Sequence, residues 1–250
     1  GMISSAIFAL MATTSTEITV LSYNILHGAG TDGKFDYERT AEVIRKTNPD
    51  IVALQEVDQG TTRAKGVMQA KLLGELTDMY WTFAEAMPYQ GGSYGEAILS
   101  KYPFESTETI KLPHAEGQEP RAVAAARIKI PGAGVIEFGG THLCHQSGQT
   151  RLWQCGMINT HYANSSLPTI IAGDLNATPT SAPIKELINN GWVDASAKNP
   201  MNTYPSDKPK RRIDYVFYRP ADRWEVVSSE ALNEPLASDH APLLVKLRLK

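Results

Sequence analysis

The sequence predicts an α/β fold in which two β-sheets pack face to face with helices outside them. Helix and strand patterns alternate in two separate blocks, and strands follow one another directly between those blocks and after the second. Alternation buries a helix against a sheet, whereas successive strands pair as hairpins, so one all-parallel sheet does not fit. A chain of 250 residues with 42% hydrophobic and 20% charged content can bury one sizeable core, and no linker, repeat or low-complexity tract divides it. The reading is a single domain over residues 18–250, with residues 1–17 as an N-terminal arm or signal-peptide remnant.

Residues 18–25 are rich in β-branched and aromatic side chains and run into His27 and Gly28, which predicts a strand with Asn24 at its carboxyl end. Asp36 is a helix N-cap, and Asn48-Pro49 stops that helix after Thr47. Residues 51–56 form an apolar run typical of a buried strand, ended by Glu56. A second helix over about residues 67–76 places Leu72, Leu73 and Leu76 on one face, and strand-like residues 80–86 follow. Strands are then predicted at 97–100, 121–130 and 135–143, the last two joined by the turn Pro131-Gly132-Ala133-Gly134. A helix over 148–162, a strand over 168–172 and a helix from about Ser181 to Gly191 make the second block. Strands at 212–218, 224–228 and 243–249 end the chain, and residues 200–212 form the longest expected loop. In the final strand Leu243, Val245, Leu247 and Leu249 alternate with Lys246, Arg248 and Lys250, so one face is buried.

Lys plus Arg is 24 and Asp plus Glu is 27, giving a formal charge of −3. No global positive field exists to hold nucleic acid, so a phosphate partner must be bound locally. Cys144 and Cys155 have no metal-ligand spacing and are expected as buried thiols. No apolar run approaches the roughly 18 residues that cross a bilayer. Residues 6–12 are apolar and precede Thr13, Thr14 and Ser15, like a secretory signal without its basic start. A secreted or periplasmic location is expected if residues 2–15 are a signal remnant, and a cytoplasmic one otherwise.

Polar residues interrupt the apolar strands mostly near their ends: Asn24, Glu56, His142, Asp174, Asn176, Asp239 and His240, with Asp214 inside the strand-like 212–217. Strand ends are where α/β folds gather functional groups from distant parts of the chain. Carboxylates and amides are hard oxygen donors suited to Mg²⁺ or Mn²⁺, and the His-Glu-x-x-His spacing of zinc enzymes is absent. A hard divalent ion usually accompanies phosphate. Phosphate-loop, dinucleotide-loop and nucleophile-elbow motifs are also absent, which leaves direct attack by an activated water as the economical chemistry.

Six ordered blocks follow the initial Ser22-Tyr23-Asn24: residues 54–58, 95–100, 141–143, 173–179, 212–215 and 238–242. Together they resemble the endonuclease/exonuclease/phosphatase superfamily over nearly the whole chain. The resemblance implies a four-layer α/β/β/α sandwich of two packed mixed β-sheets flanked by helices, and Mg²⁺-dependent cleavage of a phosphate ester, with Mn²⁺ as a substitute. It implies Glu56 as the main metal carboxylate, with Asn24 and Asp239 completing or orienting the ion's shell. Asp174 and Asn176 would hold the attacking water and a phosphate oxygen. His240, oriented by Asp214, would serve as general base or as a phosphate-clamping cation. His142 would contact the scissile phosphate and protonate the leaving oxygen, with Glu96 as its partner.

Arg121 matches a position seen in several small bacterial members and would reach a phosphate from the rim; a rim salt bridge is the competing reading. His27, Arg63 and His114 lie in loops that the family brings near its site. The basic run from Lys208 to Arg212 is either a solvated loop or a phosphate-tracking edge. Met87-Pro88-Tyr89 is a candidate lipid-facing loop, and Trp153, Trp192 and Trp224 are core residues or stacking platforms. The expected substrate is a phosphodiester, from nucleic acid or a phospholipid headgroup, handled by a monomer without a protein partner. An inositol-phosphate-type phosphomonoesterase and a non-catalytic binding member of the fold are the alternatives.

Overall fold

The computed structural model describes residues 15–250, so most of the expected arm and signal remnant lies outside the described residues. Within them the strands form two six-stranded mixed sheets. The first sheet has the order β11-β12-β1-β2-β4-β3, from β1 (Thr16–Asn24), β2 (Ile51–Gln59), β3 (Tyr80–Tyr89), β4 (Gly92–Ser100), β11 (Trp224–Ala231) and β12 (Leu243–Leu249). The second has the order β5-β6-β7-β8-β10-β9, from β5 (Phe104–Lys111), β6 (Ala122–Ile130), β7 (Gly134–His142), β8 (Thr169–Asp174), β9 (Val193–Asp194) and β10 (Asp214–Arg219). The helices are α1 (Tyr37–Thr47), α2 (Gln69–Thr77), α3 (Gly148–Tyr162) and α4 (Ala182–Asn189).

The core has the three interfaces that four layers require. Ile18, Val20, Ile51 and Ile98 of the first sheet meet Ile128, Phe138, Ile170 and Val216 of the second. The alternate residues Leu21, Tyr23, Val52 and Leu54 face the other way, onto Ile44 of α1 and Leu73 of α2. Val123, Ile171 and Phe217 likewise turn toward Ile158 of α3 and Leu187 of α4. The central strands β1, β2 and β8 thus bury both faces, which explains their apolar runs. Each fully buried Leu, Ile or Phe contributes about 1.5–3 kcal/mol.

Local signals set the helix ends. Asp36 accepts a hydrogen bond from the Arg39 amide at 3.0 Å, and Asn48 closes α1 in the left-handed conformation. Ser147 caps α3 by accepting from the Thr150 amide at 3.2 Å.

The expected boundaries need several corrections: β2 runs past Glu56 to Gln59, and β9 was not expected. Thr16 and Glu17, assigned to the arm, pair with Leu249 and Arg248 in the first sheet. β5 was not expected: all but one of its interior side chains are exposed, so it carries no alternation. β4 begins at Gly92 rather than residue 97, because pairing with β2 and β3 overrides the weak strand propensity of Gly92, Ser93 and Gly95. β3 runs on through Pro88, which is tolerated because β3 is an edge strand. Met87 to Tyr89 is therefore strand and not a protruding lipid-facing loop. Among the described residues no helix is long and apolar enough to cross a membrane.

Candidate active site

Strand register assembles half of the site. In the parallel pair β7–β8, His142 lies opposite Asp174, and in the antiparallel pair β8–β10, Asp214 also lies opposite Asp174. Three neighbouring strands thus present His142, Asp174 and Asp214 in one row at a sheet end. Gly173 permits this approach, since a Cβ there would sit 1.9 Å from the Thr141 carbonyl oxygen. His142 Nε2 lies 3.3 Å from Asp174 Oδ2. Past the strand, Asn176 turns back with φ 47°, donating from its backbone to Asp174 Oδ1 at 3.0 Å and from its side chain to the Leu143 carbonyl at 2.9 Å.

The first sheet supplies the facing row. A β-bulge interrupts the pairing of β2 with β4 between Leu54 and Val57, and Glu56 within it adopts φ 54°. A bulge re-aims a side chain, and here Glu56 enters the cleft. Asn24, at the end of β1, donates to Glu56 Oε2 at 2.5 Å and across the sheets to Asp174 Oδ2 at 3.1 Å. Its carbonyl accepts from the Leu26 amide at 3.0 Å, so Asn24 meets the acids with its NH₂ and orients them. Glu96 on β4 is fully buried, 4.0 Å from His142 Nδ1, with neither carboxylate oxygen hydrogen-bonded. Burial raises its carboxyl well above the usual range, Arg121 opposes this and Glu56 adds to it.

Two loops complete the site. The Ser238 hydroxyl donates to the Asn24 carbonyl at 2.5 Å, and the amides of Ser206 and Ala241 tie residues 203–206 to 239–241. Thr203 Oγ1 accepts from the amides of Ile213 and Asp214, and the Tyr204 ring lies 4.9 Å from that of His240. His240 Nδ1 is 2.8 Å from Asp214 Oδ2, and its Nε2 is 3.4 Å from Asp174 Oδ2. Burial alone would lower the His240 pKa, but the charges of Asp214, Asp174 and Asp239 outweigh it and push it up to about 10. Burial would conversely raise Asp174, and the imidazoles of His240 and His142 instead hold it below the usual carboxylate range. The row therefore carries an imidazolium bracketed by carboxylates.

Of these groups Glu56, His142, Asp174, Asn176, Tyr204, Asp239 and His240 line a cleft of about 590 Å³, whereas Asn24, Glu96 and Asp214 are buried and do not. Glu56, Asp174 and His240 offer donor atoms within 4.8 Å of one another. A charged imidazole does not ligate a cation, so Asp239 is the better third donor; its carboxyl is raised by burial and by Glu56 and Asp174. Carboxylates gathered in one cleft fit a hard divalent ion. Of the residues expected on the substrate side, His27, Arg63 and Arg121 line the cleft, whereas exposed His114 does not. Arg63 is locked by buried Asp58 at 2.6 and 2.9 Å and lies over Tyr89. Arg121 is 2% exposed, hence a wall residue rather than the rim residue expected. The basic run divides: Arg211 lines the cleft over Tyr204, while Arg212 is buried against Asp194. Trp192 and Trp224 are core, and Trp153 is exposed on α3 away from the cleft. Tyr94, His145, Arg151 and Tyr204 also line it, none of them expected.

The Endonuclease/Exonuclease/phosphatase family model matches residues 21–240. The chain belongs to this family. It is a family of hydrolases acting on phosphate esters, typically with a divalent metal. The YbhP protein of Escherichia coli K12, described as uncharacterized, is 26% identical over 245 residues, spanning 92% of this chain and 96% of its own. An endonuclease/exonuclease/phosphatase structure from Beutenbergia cavernae superposes with a TM-score of 0.77 at 25% identity, over 93% of this chain and 72% of that one. The mannosyl-6-phosphatase Bt3783 of Bacteroides thetaiotaomicron shares the fold with a TM-score of 0.77 at 19% identity, over 92% of this chain and 99% of that one.

Proposed function

We propose that this family member is a Mg²⁺-dependent phosphodiesterase that hydrolyses its substrate by direct attack of water. The observation that carries the reading is Asp174, set between two imidazoles and tied by Asn24 to Glu56 across the sheets. Glu56, Asp174 and Asp239 would hold the ion, with Asn24 orienting them. When bound, the ion supplies positive charge to phosphoryl oxygens that gain negative charge in the transition state.

The chain's own residues do the rest. Asp174, ionised and hydrogen-bonded by the Asn176 amide, accepts the proton of the attacking water. His240, held charged by Asp214 and Asp174, clamps a phosphate oxygen as a cation rather than acting as base. His142 donates a proton to the leaving oxygen, with the Glu96 carboxyl 4.0 Å from its Nδ1. The cleft extends past this cluster toward Arg121 on one wall and Arg211 on another, which leaves room for groups on both sides of a diester.

The test is hydrolysis of bis-p-nitrophenyl phosphate and p-nitrophenyl phosphate with Mg²⁺, Mn²⁺ or EDTA, alongside Glu56→Ala and His240→Ala. Diester hydrolysis that needs the ion and both side chains supports the reading. Activity in EDTA, or undiminished in either variant, refutes the mechanism, and hydrolysis of the monoester alone refutes the diester assignment.

A further inference from the structure

One wall of the cleft carries nitrogen donors that the catalytic cluster does not use. Arg121 precedes β6, His145 follows β7 and Arg151 lies in the first turn of α3. Arg121 Nε donates to the Leu143 carbonyl at 3.3 Å, the same oxygen that accepts from Asn176 at 2.9 Å, so this guanidinium is contiguous with the phosphate-holding amide. Its other nitrogens reach Glu119 at 2.9 Å and His145 Nδ1 at 3.3 Å. An arginine only donates, so His145 Nδ1 accepts and the ring proton is fixed on Nε2. His145 then offers its Nε2–H as a donor. Arg151 is held by the Cys144 carbonyl at 2.9 Å, and its buried Nε has no partner.

Two guanidiniums present ten N–H groups, and the protein uses few of them here. Glu119 is the one carboxylate hydrogen-bonded to this wall among the described residues, and it neutralises only part of the charge. Burying a guanidinium is costly without a matching anion.

We propose that Arg121, His145 and Arg151 form a second anion subsite, which takes a further phosphate of the substrate beside the one being hydrolysed. The inference rests on the phosphoester reading above. His142, His240 and Asn176 already serve the scissile phosphate, so surplus donors one carbonyl away fit a neighbouring phosphate. Two sources share this chemistry: a small bisphosphorylated sugar and the adjacent phosphate of a short oligonucleotide.

The test compares kcat and KM for bis-p-nitrophenyl phosphate as the single-phosphate probe, a hexose bisphosphate and a 5′-phosphorylated dinucleotide in the wild-type protein, His145→Ala and Arg151→Gln. His145 is exposed, so its variant decides should Arg151→Gln fail to fold. For a substrate with two phosphates, KM should rise about ten-fold or more, well beyond any rise for the single-phosphate probe, with kcat little moved. The substrate showing the effect identifies the source. An equal rise for all substrates, or none, overturns the proposal. Should the wild-type protein hydrolyse none of them, the proposed function fails, and calorimetric titration of the metal-free protein with inorganic pyrophosphate decides the subsite. Weaker binding by both variants then supports it, and unchanged affinity overturns it.

Discussion

Replacing Asp214 by Asn tests whether the pair with His240 sets that ring's charge. The substitution keeps the volume and removes one negative charge 2.8 Å from Nδ1. The rise of the His240 pKa from 6.5 to about 10 corresponds to roughly 5 kcal/mol favouring the charged ring. Asp214, Asp174 and Asp239 share this, and Asp214 makes the shortest contact, so its neutralisation removes roughly 2–3 kcal/mol. Because the folded pKa is raised, the stability from this ring is complete below about pH 6.5 and is lost as pH rises through about 10. In the metal-free variant that loss should still begin near pH 6.5, which the unfolded ring sets, and should end at lower pH. Urea denaturation at pH 6, 7.5 and 9 in EDTA, together with NMR titration of the His240 ring, measures both effects. With Mg²⁺, kcat should fall by about 10²–10³-fold while KM moves little. A ring that titrates as before, or a variant as active as wild type, would falsify the assignment.

Three further perturbations probe separate links. Gly173→Ala places a methyl against the Thr141 carbonyl and should cost roughly 2–4 kcal/mol, with activity lost in step, as followed by thermal denaturation and kcat. Arg212→Ala leaves Asp194 buried and unpaired, so stability should fall by about 3–5 kcal/mol while the folded enzyme keeps its KM; a large KM change would instead place Arg212 in substrate binding. Glu56→Gln should abolish the calorimetric signal of Mg²⁺ binding and lower kcat by about 10³-fold or more. It should leave the melting temperature in EDTA unchanged or higher, since it relieves repulsion with Asp174 and Asp239, and a marked loss of stability would mean that Glu56 is structural.

The eight polar interruptions were legible because each breaks a buried strand or stands at its end, where an apolar residue would otherwise serve packing. Asn24, Glu56, His142, Asp174, Asn176, Asp214, Asp239 and His240 all reach one cleft or its floor. The bulge that aims Glu56 was not legible, because nothing in Gln55-Glu56-Val57 marks a break in pairing; the mismatch arises only against β4. Tyr204 was hidden, and Arg211 was marked only as part of a basic run that could equally be a solvated loop, for a different reason. They belong to an irregular loop whose place is set by hydrogen bonds to residues 239–241, far away in sequence. β5 escaped because an exposed edge strand has no core to impose a period. His145 and Arg151 carried suitable chemistry, but only the packing of α3 brings them beside Arg121.

The site straddles a seam, and this ties activity to the packing of whole sheets. Asn24, Glu56 and Glu96 belong to the first sheet, and His142, Asp174 and Asp214 to the second. Polar contacts cross between them from Asn24 to Asp174 at 3.1 Å and from His142 toward Glu96 at 4.0 Å, directly above the apolar interface of Val20, Ile51, Ile98, Phe138 and Ile170. That interface is dry and close-packed, so it resists small sliding and holds the two rows in a fixed relation. The net charge of −3 takes its meaning from the same arrangement. The floor is acidic, as the proposed metal site requires, while the arginines stand in the walls, where Asp58, Glu119 and backbone carbonyls hold them. A chain that is acidic overall therefore presents a phosphate ester with cationic walls around a metal-accepting floor, and local placement rather than total charge decides what it binds.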